Sequence, residues 1–326
     1  MLSAKFWSFF AIIAIAMLPK VALILLSISG VLPTPGSRTE RPIIGILAQT
    51  THGKAAEYGK FYIAASYIKY VEAAGGRVVP IFPNATVDQV KQLFQYINGA
   101  LFPGGGVSLT KSGYAENGNI LYQLALQASE EGVVFPIWGS CLGFELLTVI
   151  SSSNRVVFSH LDAENYPTPL NLSEDFDESK MFNKATQDMI KAVQHSRITM
   201  NNHQWGVTPE NFQKEKGLSS FYRIVSTNKD RKGIEYVSTI EGIKYPIFGV
   251  QWHPEKNQFE WSTKESIPHS TDAIHLGQYM ANFLVDQARM NDHHFPSQDK
   301  EDAALIYNYN PTYTGHFSNF TQCYYF

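Results

Sequence analysis

The chain has 326 residues, of which 44% are hydrophobic and 17% charged, and its formal net charge at pH 7 is −3. This composition is typical of a globular protein with a large core. The charge favours neither a nucleic-acid partner nor an acidic surface partner. At about 150 residues per domain, the length allows one large domain or two small ones.

Residues 1–29 predict a secretory signal peptide. Lys5 precedes an apolar run, and small residues near Ser29 offer a cleavage site. An uncleaved membrane anchor is the alternative, because residues 6–32 are long enough to span a bilayer. Lys20 near the centre of that span would be costly in lipid. We therefore expect cleavage, entry into the secretory pathway and no stable membrane anchor in the mature chain.

Three tripeptides have the N-glycosylation pattern Asn-x-Ser/Thr. They begin at Asn84, Asn171 and Asn319. Such tripeptides also arise by chance, but together with a signal peptide they predict N-glycosylation at these three positions.

Strands alternate with helices from residue 42 to the first cysteine. Strands are predicted over 42–48, 77–82, 98–103 and 133–138, and helices over 60–74, 86–96 and 116–131. This alternation indicates a parallel sheet covered on both faces. Active sites in such sheets lie at the carboxyl ends of the strands.

After residue 150 the strands become shorter and more polar, which indicates a mixed or antiparallel region. Strands are predicted over 154–159, 197–200, 221–227 and 233–239, a core strand over 245–252, and an amphipathic helix over 272–290. We divide the mature chain into a linker (30–41), a catalytic domain (42–290) and an aromatic C-terminal tail (291–326). The aromatic content predicts that the tail packs on the domain.

Cys141 lies where the strand predicted over 133–138 turns into an amphipathic stretch. It is flanked by Gly139 and Gly143 in the pattern Gly-x-Cys-x-Gly. This is a nucleophile elbow, in which glycines remove the Cβ atoms that would clash at a sharp strand-to-helix turn. We expect the helix N-terminus to lower the pKa of the thiol and to favour the thiolate. A buried core cysteine is the alternative interpretation.

His253 is the best candidate for the general base that a cysteine nucleophile needs. It follows the apolar strand predicted over 245–252, so it also lies at a carboxyl end. Glu255 is two residues further on, on the same side of an extended segment. Its carboxylate could orient the imidazole and fix its tautomer. An ordinary ion pair at the end of a strand is the alternative.

The glycine run at 104–106 follows the strand predicted over 98–103. Acyl transfer requires donors aimed at the developing oxyanion, and the N–H groups of Gly105 and Leu142 are the candidates. A phosphate-binding loop is the alternative. It is disfavoured because no Gly-Lys-Ser/Thr follows the glycines.

Cys323 is the second of the two cysteines. A secreted chain with two cysteines invites a disulfide. We expect none with Cys141, because pairing would consume the elbow thiol and a domain of this size needs no cross-link.

The glycine run, the cysteine elbow and His253-Pro254-Glu255, in this order, resemble the class I glutamine amidotransferase superfamily. Longer strings resemble its gamma-glutamyl hydrolase family. They are Tyr58 to Tyr67, Trp138 to Glu145, Pro169 to Leu172, Gln251 to Asn257, and Tyr307 to Tyr324 in the tail. The resemblance covers the chain from about Pro42 to its end.

The resemblance implies a three-layer α/β sandwich around a mostly parallel sheet, with short antiparallel strands and a packed C-terminal tail. It implies a Cys141–His253–Glu255 triad that hydrolyses γ-glutamyl bonds in folylpoly-γ-glutamates and antifolate polyglutamates through a thioester, without cofactor or metal. It also implies a homodimer in the lysosome or outside the cell. His203 matches a histidine that this family carries near its substrate.

Gly104 and Tyr62 are further candidates for substrate binding, because both lie near predicted strand ends. Two other functions stay open at this stage. A glutaminase that passes ammonia to a synthetase would need a partner domain, for which the chain has no spare length. A non-catalytic binding module would not need both the cysteine and the histidine.

Overall fold

The structure is a computed structural model that describes residues 38–326. The signal peptide and most of the linker lie outside these residues. The strands of the described part are β1 (Ile43–Leu47), β2 (Gln49–Thr50), β3 (Phe61–Ala64), β4 (Arg77–Ile81), β5 (Gly99–Phe102), β6 (Ile137–Ser140), β7 (Ser159–Thr168), β8 (Asn171–Leu172), β9 (Thr199–Gly206), β10 (Tyr222–Lys229), β11 (Glu235–Gly242), β12 (Ile247–Val250), β13 (Pro311–Tyr313) and β14 (Gln322–Tyr325).

The helices cover the strands and connect them. In the described residues the α-helices are α1 (Ala65–Ala73), α2 (Val87–Phe94), α3 (Gly113–Glu130), α4 (Leu142–Ser151), α5 (Gln187–His195), α6 (Pro209–Lys214), α7 (Lys216–Ser219), α8 (Lys256–Phe259), α9 (Thr271–Ala288) and α10 (Gln298–Ala304). Short 3-10 helices occupy Gly53–Glu57, Phe176–Glu178 and Ile306–Asn308. No helix among the described residues has the length and apolar character needed to span a membrane.

An eight-stranded sheet forms the centre, with the order β4-β1-β5-β6-β12-β11-β10-β8. The first five strands in this order pair in parallel. The last three continue the sheet with antiparallel pairs. A separate antiparallel ribbon pairs β7 with β9. The predicted combination of a mostly parallel sheet with antiparallel additions is confirmed.

Both faces of the central sheet are buried. Ile43 and Leu47 of β1 point into one core, whereas Ile44 and Ile46 point into the other, as the two-residue period of a strand requires. The first core is closed by α2, α3 and α4, and the second by α1, α5 and α9. The result is the predicted three-layer sandwich.

The helix predicted over 60–74 is wrong in its first part. Phe61–Ala64 is the strand β3, and the helix begins only at Ala65. Strand β3 lies in a second sheet of order β13-β14-β3-β2, where it pairs with the C-terminal strand β14. This pairing joins residues about 260 positions apart, so a local sequence pattern does not report it.

Three further predictions need correction. The strand predicted over 133–138 begins only at Ile137 and runs to Ser140. Residues 154–158 form no strand, because Ser153 and Asn154 turn the chain with positive φ after α4. The stretch after the cysteine is not amphipathic, since α4 is buried at every position from Leu142 to Ile150.

The C-terminal tail is integrated into the fold. Strand β14 adds to β3, and the backbone N–H groups of Lys60 and Phe61 both donate to the carbonyl of Phe326. Most tail aromatics pack against the second core. Tyr307 and Tyr313 remain 62% and 60% exposed, so these two do not follow the expectation for the tail.

Candidate active site

Cys141 lies at a sharp turn between β6 and α4. Its φ of 51° is in a region that residues with side chains rarely adopt. A Cβ atom on Gly139 would lie 2.6 Å from the carbonyl of Gly143, and one on Gly143 would clash with the carbonyl oxygen of Phe102. The two glycines are therefore sterically required, and the surrounding buried elements hold the strained turn in place.

His253 follows β12, which is the parallel neighbour of β6. Val250 pairs with Ser140, and the N–H of Cys141 donates to the Val250 carbonyl at 2.8 Å. A Cβ placed on Gly104 would lie 2.8 Å from His253 Cε1 and 3.3 Å from Cys141 Cβ. The imidazole and the cysteine side chain thus border one small volume at the carboxyl end of the sheet.

Glu255 orients the imidazole of His253. Its Oε1 lies 2.6 Å from His253 Nδ1, and both side chains are almost completely buried. Donation from Nδ1–H to the carboxylate leaves the lone pair on Nε2, which makes Nε2 the nitrogen able to accept the thiol proton. The arrangement is that of a cysteine–histidine–carboxylate triad.

The glycine run supplies one free amide. The N–H of Gly104 donates to Tyr67 Oη at 2.8 Å, and that of Gly106 donates to Gln49 Oε1 at 3.3 Å. The N–H of Gly105 has no hydrogen-bond partner among the described residues, and that of Leu142 is directed at the Cys141 thiol. Both amides lie at the cavity that holds Cys141, and their role as donors to an oxyanion stays a prediction.

Gly104 has a different role from the one expected of it. Its N–H is committed to Tyr67, and its carbonyl accepts a hydrogen bond from Gln49 Nε2 at 2.8 Å. Because both backbone groups are occupied, this residue holds the loop in place and offers no free donor to a substrate.

A cavity of about 650 Å³ opens above the nucleophile. It is bordered by Cys141, Leu142 and Gly105 on one side and by Asn202, His203 and other residues of β9 on another. His203 is therefore in the position expected of a substrate contact. Burial lowers the pKa of His203 to about 3, while its bond to the Trp205 carbonyl acts in the opposite direction.

Tyr62 does not border this cavity. It lies on β3 and lines a smaller neighbouring cavity. Burial, followed by the charge of Cys323, raises the pKa of the Tyr62 hydroxyl to about 12. Its role in substrate binding stays a prediction, and the cavity in which it could contact a ligand is this smaller one.

Comparison with known proteins assigns the chain to a family. Residues 42–255 match the model of Peptidase C26. The chain is 44% identical over 288 residues to gamma-glutamyl hydrolase of Mus musculus, covering 88% of this chain and 90% of that protein. It is 43% identical over 292 residues to gamma-glutamyl hydrolase of Homo sapiens, covering 89% and 91%. This chain belongs to the peptidase C26 family.

Solved structures with a similar fold include a glutaminase domain. The glutaminase domain of Trypanosoma brucei CTPS with bound acivicin gives a TM-score of 0.49 at 15% identity, covering 79% of this chain and 98% of that one. No group of three or more His, Cys, Asp or Glu residues in the described part of the C26 chain could hold a metal ion.

The resting nucleophile of this C26 peptidase is a thiol. Burial raises the pKa of Cys141 far above its usual range, and the charge of Glu145 adds to the effect. Lys256 and the N–H of Leu142 lower the pKa, but by less. The expectation that the helix N-terminus makes Cys141 a thiolate is therefore wrong for the resting site, because burial outweighs the helix terminus. His253 must remove the proton during attack.

Cys141 and Cys323 are both free thiols. Cys323 is buried in β14, where its sulfur accepts a hydrogen bond from Thr314 Oγ1 at 3.7 Å. The elbow thiol is not consumed by a disulfide in this structure.

Tyr67 is a functional residue that the sequence analysis missed. Its hydroxyl accepts from Gly104 N–H and lies 3.3 Å from His253 Nδ1. Burial holds the pKa of Tyr67 well above its usual range, and the charge of Glu255 adds to this effect, so the hydroxyl keeps its proton. Tyr67 thus connects the oxyanion loop to the imidazole of His253.

Gln49 is a second missed residue. It is 2% exposed, and its side-chain amide bridges Gly104 and Gly106 while Gly105 wraps around it. A polar residue directly after an apolar strand, at the carboxyl end of the sheet, was the signal that could have identified it.

A buried ion pair holds β9 over the nucleophile. Lys256 Nζ lies 2.7 Å from Glu265 Oε2, and Asn202 Nδ2 donates to Glu265 Oε1 at 2.9 Å. The carbonyl of Asn202 is 4.0 Å from Cys141 Sγ. This network places a hydrogen-bond acceptor beside the thiol and brings the positive charge of Lys256 into the site.

Substitution Tyr67→Phe should lower kcat about 10- to 100-fold while KM changes little. It leaves the buried N–H of Gly104 without an acceptor and removes the hydroxyl beside His253 Nδ1, at a stability cost of about 1–3 kcal/mol. Steady-state kinetics and urea unfolding measure both effects. Tyr70→Phe is the matched control, because the buried Tyr70 hydroxyl has no hydrogen-bond partner. Equal losses in the two variants would contradict a specific role for Tyr67.

Glu145 should make the free energy of unfolding depend on pH. Burial raises its pKa from 4.5 to about 8, so between these values the unfolded chain loses a proton that the folded chain keeps. Stability therefore falls as pH rises through this window, by at most about 1.4 kcal/mol per pH unit, and levels off above it. Urea unfolding from pH 4 to 9 should show this slope.

Substitution Glu145→Gln should flatten that dependence, because the amide keeps the acceptor for Gln251 but cannot ionise. Glu131→Gln removes an exposed carboxyl and should leave the slope as it is in the parent protein. A slope that persists in the Glu145 variant would assign the effect to another group.

Proposed function

We propose that this C26 peptidase hydrolyses γ-glutamyl peptide bonds in folylpoly-γ-glutamates and antifolate polyglutamates. The observation that carries the proposal is the meeting of Cys141 with the His253–Glu255 pair at the ends of two adjacent parallel strands. The relatives named gamma-glutamyl hydrolase supply the bond class. The folate substrates rest on the family resemblance.

Acylation begins when His253 Nε2 takes the proton from Cys141 Sγ. The thiolate sulfur attacks the carbonyl carbon of the γ-amide, and the oxygen becomes an oxyanion that the N–H groups of Gly105 and Leu142 can bind. The intermediate then collapses and breaks the C–N bond. The leaving amine takes the proton from His253, and a γ-glutamyl thioester remains on Cys141.

Deacylation repeats these steps with water. His253 Nε2 removes a proton from a water molecule, and the oxygen attacks the thioester carbonyl. Collapse of the second oxyanion breaks the C–S bond and releases the free γ-carboxyl product. The proton held by His253 returns to the sulfur, which regenerates the thiol. Every step is written with protein groups and water alone.

Glu255 acts by holding the imidazole that performs both proton transfers. Its charge also stabilises the imidazolium that exists between them. His203 stands above the nucleophile with a strongly lowered pKa, which suits a neutral hydrogen-bonding contact to the substrate.

We propose a secretory route that leads to the lysosome or out of the cell. The predicted signal at residues 1–29 supports it. The predicted glycosylation sites Asn84, Asn171 and Asn319 are all exposed, which a glycan requires. Treatment of the secreted protein with an N-glycosidase, followed by mass spectrometry, tests each asparagine. The proposed homodimer rests on the family resemblance, and light scattering tests it.

The parent protein should cleave a γ-linked pteroyl-pentaglutamate and leave an α-linked pentaglutamate intact. Mass spectrometry identifies the products. Cys141→Ala should abolish turnover, because it removes the nucleophile. His253→Ala should lower kcat by at least about 1000-fold, because it removes the group that transfers the protons. His294→Ala is the matched control, since His294 is exposed and remote from the triad.

Two results would contradict the proposed function. One is cleavage that survives Cys141→Ala with the fold intact. The other is faster release of ammonia from glutamine than of glutamate from the γ-linked substrate, which would favour a glutaminase.

A further inference from the structure

A second cavity of about 290 Å³ lies beside the nucleophile's cavity. The two cavities share Gly106 and Val107 in their linings, so they lie side by side along the glycine loop. The catalytic steps use no residue of the second cavity as a reacting group. We call it the aromatic cavity, after four rings that line it: Tyr62, Phe317, Phe320 and Tyr325.

The rings of the aromatic cavity are fixed in place. Tyr62 and Phe320 have ring centroids 6.5 Å apart, and Tyr58 stacks on both Phe317 and Tyr325 at 5.3 Å. Tyr62 and Tyr325 are direct partners in the pairing of β3 with β14. Because backbone pairing positions these rings, the cavity is formed without a ligand, as is usual for small-molecule sites.

A positive charge stands at the rim of the aromatic cavity. Lys54 is exposed, and its Nζ lies 5.4 Å from the centroid of the Phe317 ring. Among the described residues no carboxylate lies within 4.0 Å of this ammonium group. Flat π surfaces beside an unpaired cation are suited to a planar conjugated ring that is followed by a carboxylate.

Resting on the proposed function, we propose that the aromatic cavity binds the pteridine and aminobenzoyl head of a folate during cleavage. The head group lies on the acyl side of every γ-glutamyl bond, because the polyglutamate extends from it in one direction. When the bond nearest the head is cleaved, a subsite for the head must therefore lie next to the acyl position at Cys141, and the neighbouring cavity that shares Gly106 and Val107 meets this requirement. Lys54 then pairs with the α-carboxylate of a glutamate near the head.

The size of the cavity agrees with this occupant. Its volume is close to the lower end of the range for small-molecule sites, which is about 300–1,000 Å³. The space is too small for a folded partner. A purely aliphatic ligand would leave the π faces and Lys54 without matching groups.

The test compares two substrates that differ only in the head. One is pteroyl-γ-diglutamate, and the other is γ-diglutamate with an acetyl group in place of the pteroyl group. Phe317→Leu should raise KM about tenfold for the pteroyl substrate, since loss of one stacking ring costs about that factor. KM for the acetyl substrate should not change, and Phe317→Tyr should restore the parent value. Tyr307→Leu, an exposed aromatic of the same tail outside the cavity, is the control.

A binding measurement keeps the inference testable apart from turnover. Pteroylglutamate should quench the fluorescence of the inactive Cys141→Ala protein, and adding Phe317→Leu or Lys54→Met should weaken its binding about tenfold. The inference is overturned if the variants bind pteroylglutamate as tightly as their parent, or if KM rises equally for both substrates. If the parent cleaves neither substrate but binding responds as expected, the proposed function fails and the aromatic subsite stands.

Discussion

The pairing of β6 with β12 is the constraint on which the site depends. Both strands are short, buried and parallel, so their carboxyl ends point to the same edge of the sheet. The register places Ser140 beside Val250. Both strands end at this pair, so the segments that carry Cys141 and His253 leave the sheet side by side. A shift of one residue would turn Cys141 away from His253, because side chains alternate between faces. The register thus brings Cys141 and His253 together, and the elbow glycines and the glycine loop complete the site around them.

Burial sets the protonation state of the nucleophile. It excludes water from the thiol, but it also raises the pKa of Cys141 and keeps the nucleophile protonated at rest. An ionised Glu145 would raise the pKa of Cys141 further. Burial, however, raises the pKa of Glu145 itself to about 8, so this carboxyl is neutral in acid and near neutrality.

The sequence was informative where a rule links local pattern to position. Apolar strands alternating with helices predicted the sheet, and residues directly after those strands predicted Cys141, His253 and the loop at Gly105. Local patterns are uninformative where the deciding partner is distant in the chain. Strand β3 forms because β14 pairs with it, and Tyr67 matters because its hydroxyl reaches Gly104. The hydrophobic periodicity around β3 and around Tyr67 indicates neither contact.

The direction in which the pKa of Cys141 shifts also cannot be predicted from a local sequence pattern. The helix N-terminus beside Cys141 is visible in the sequence, but the burial that outweighs it comes from elements far along the chain. In the same way, Tyr62 lies near a predicted strand end, and this position alone predicts it as a contact of the substrate. The structure separates it from the nucleophile by the glycine loop and places it in the aromatic cavity instead.

The C-terminal tail connects these observations. Strand β14 holds β3, and α1 follows β3 without a connecting loop, so the position of Tyr67 depends on a strand at the opposite end of the chain. The same strand carries Tyr325, and the segment before it carries Phe317 and Phe320. One late-sequence pairing thus sets both the hydrogen bond that fixes the oxyanion loop and the walls of the neighbouring cavity. Displacement of the tail would disturb catalysis and substrate binding together, which makes it part of the active site's framework.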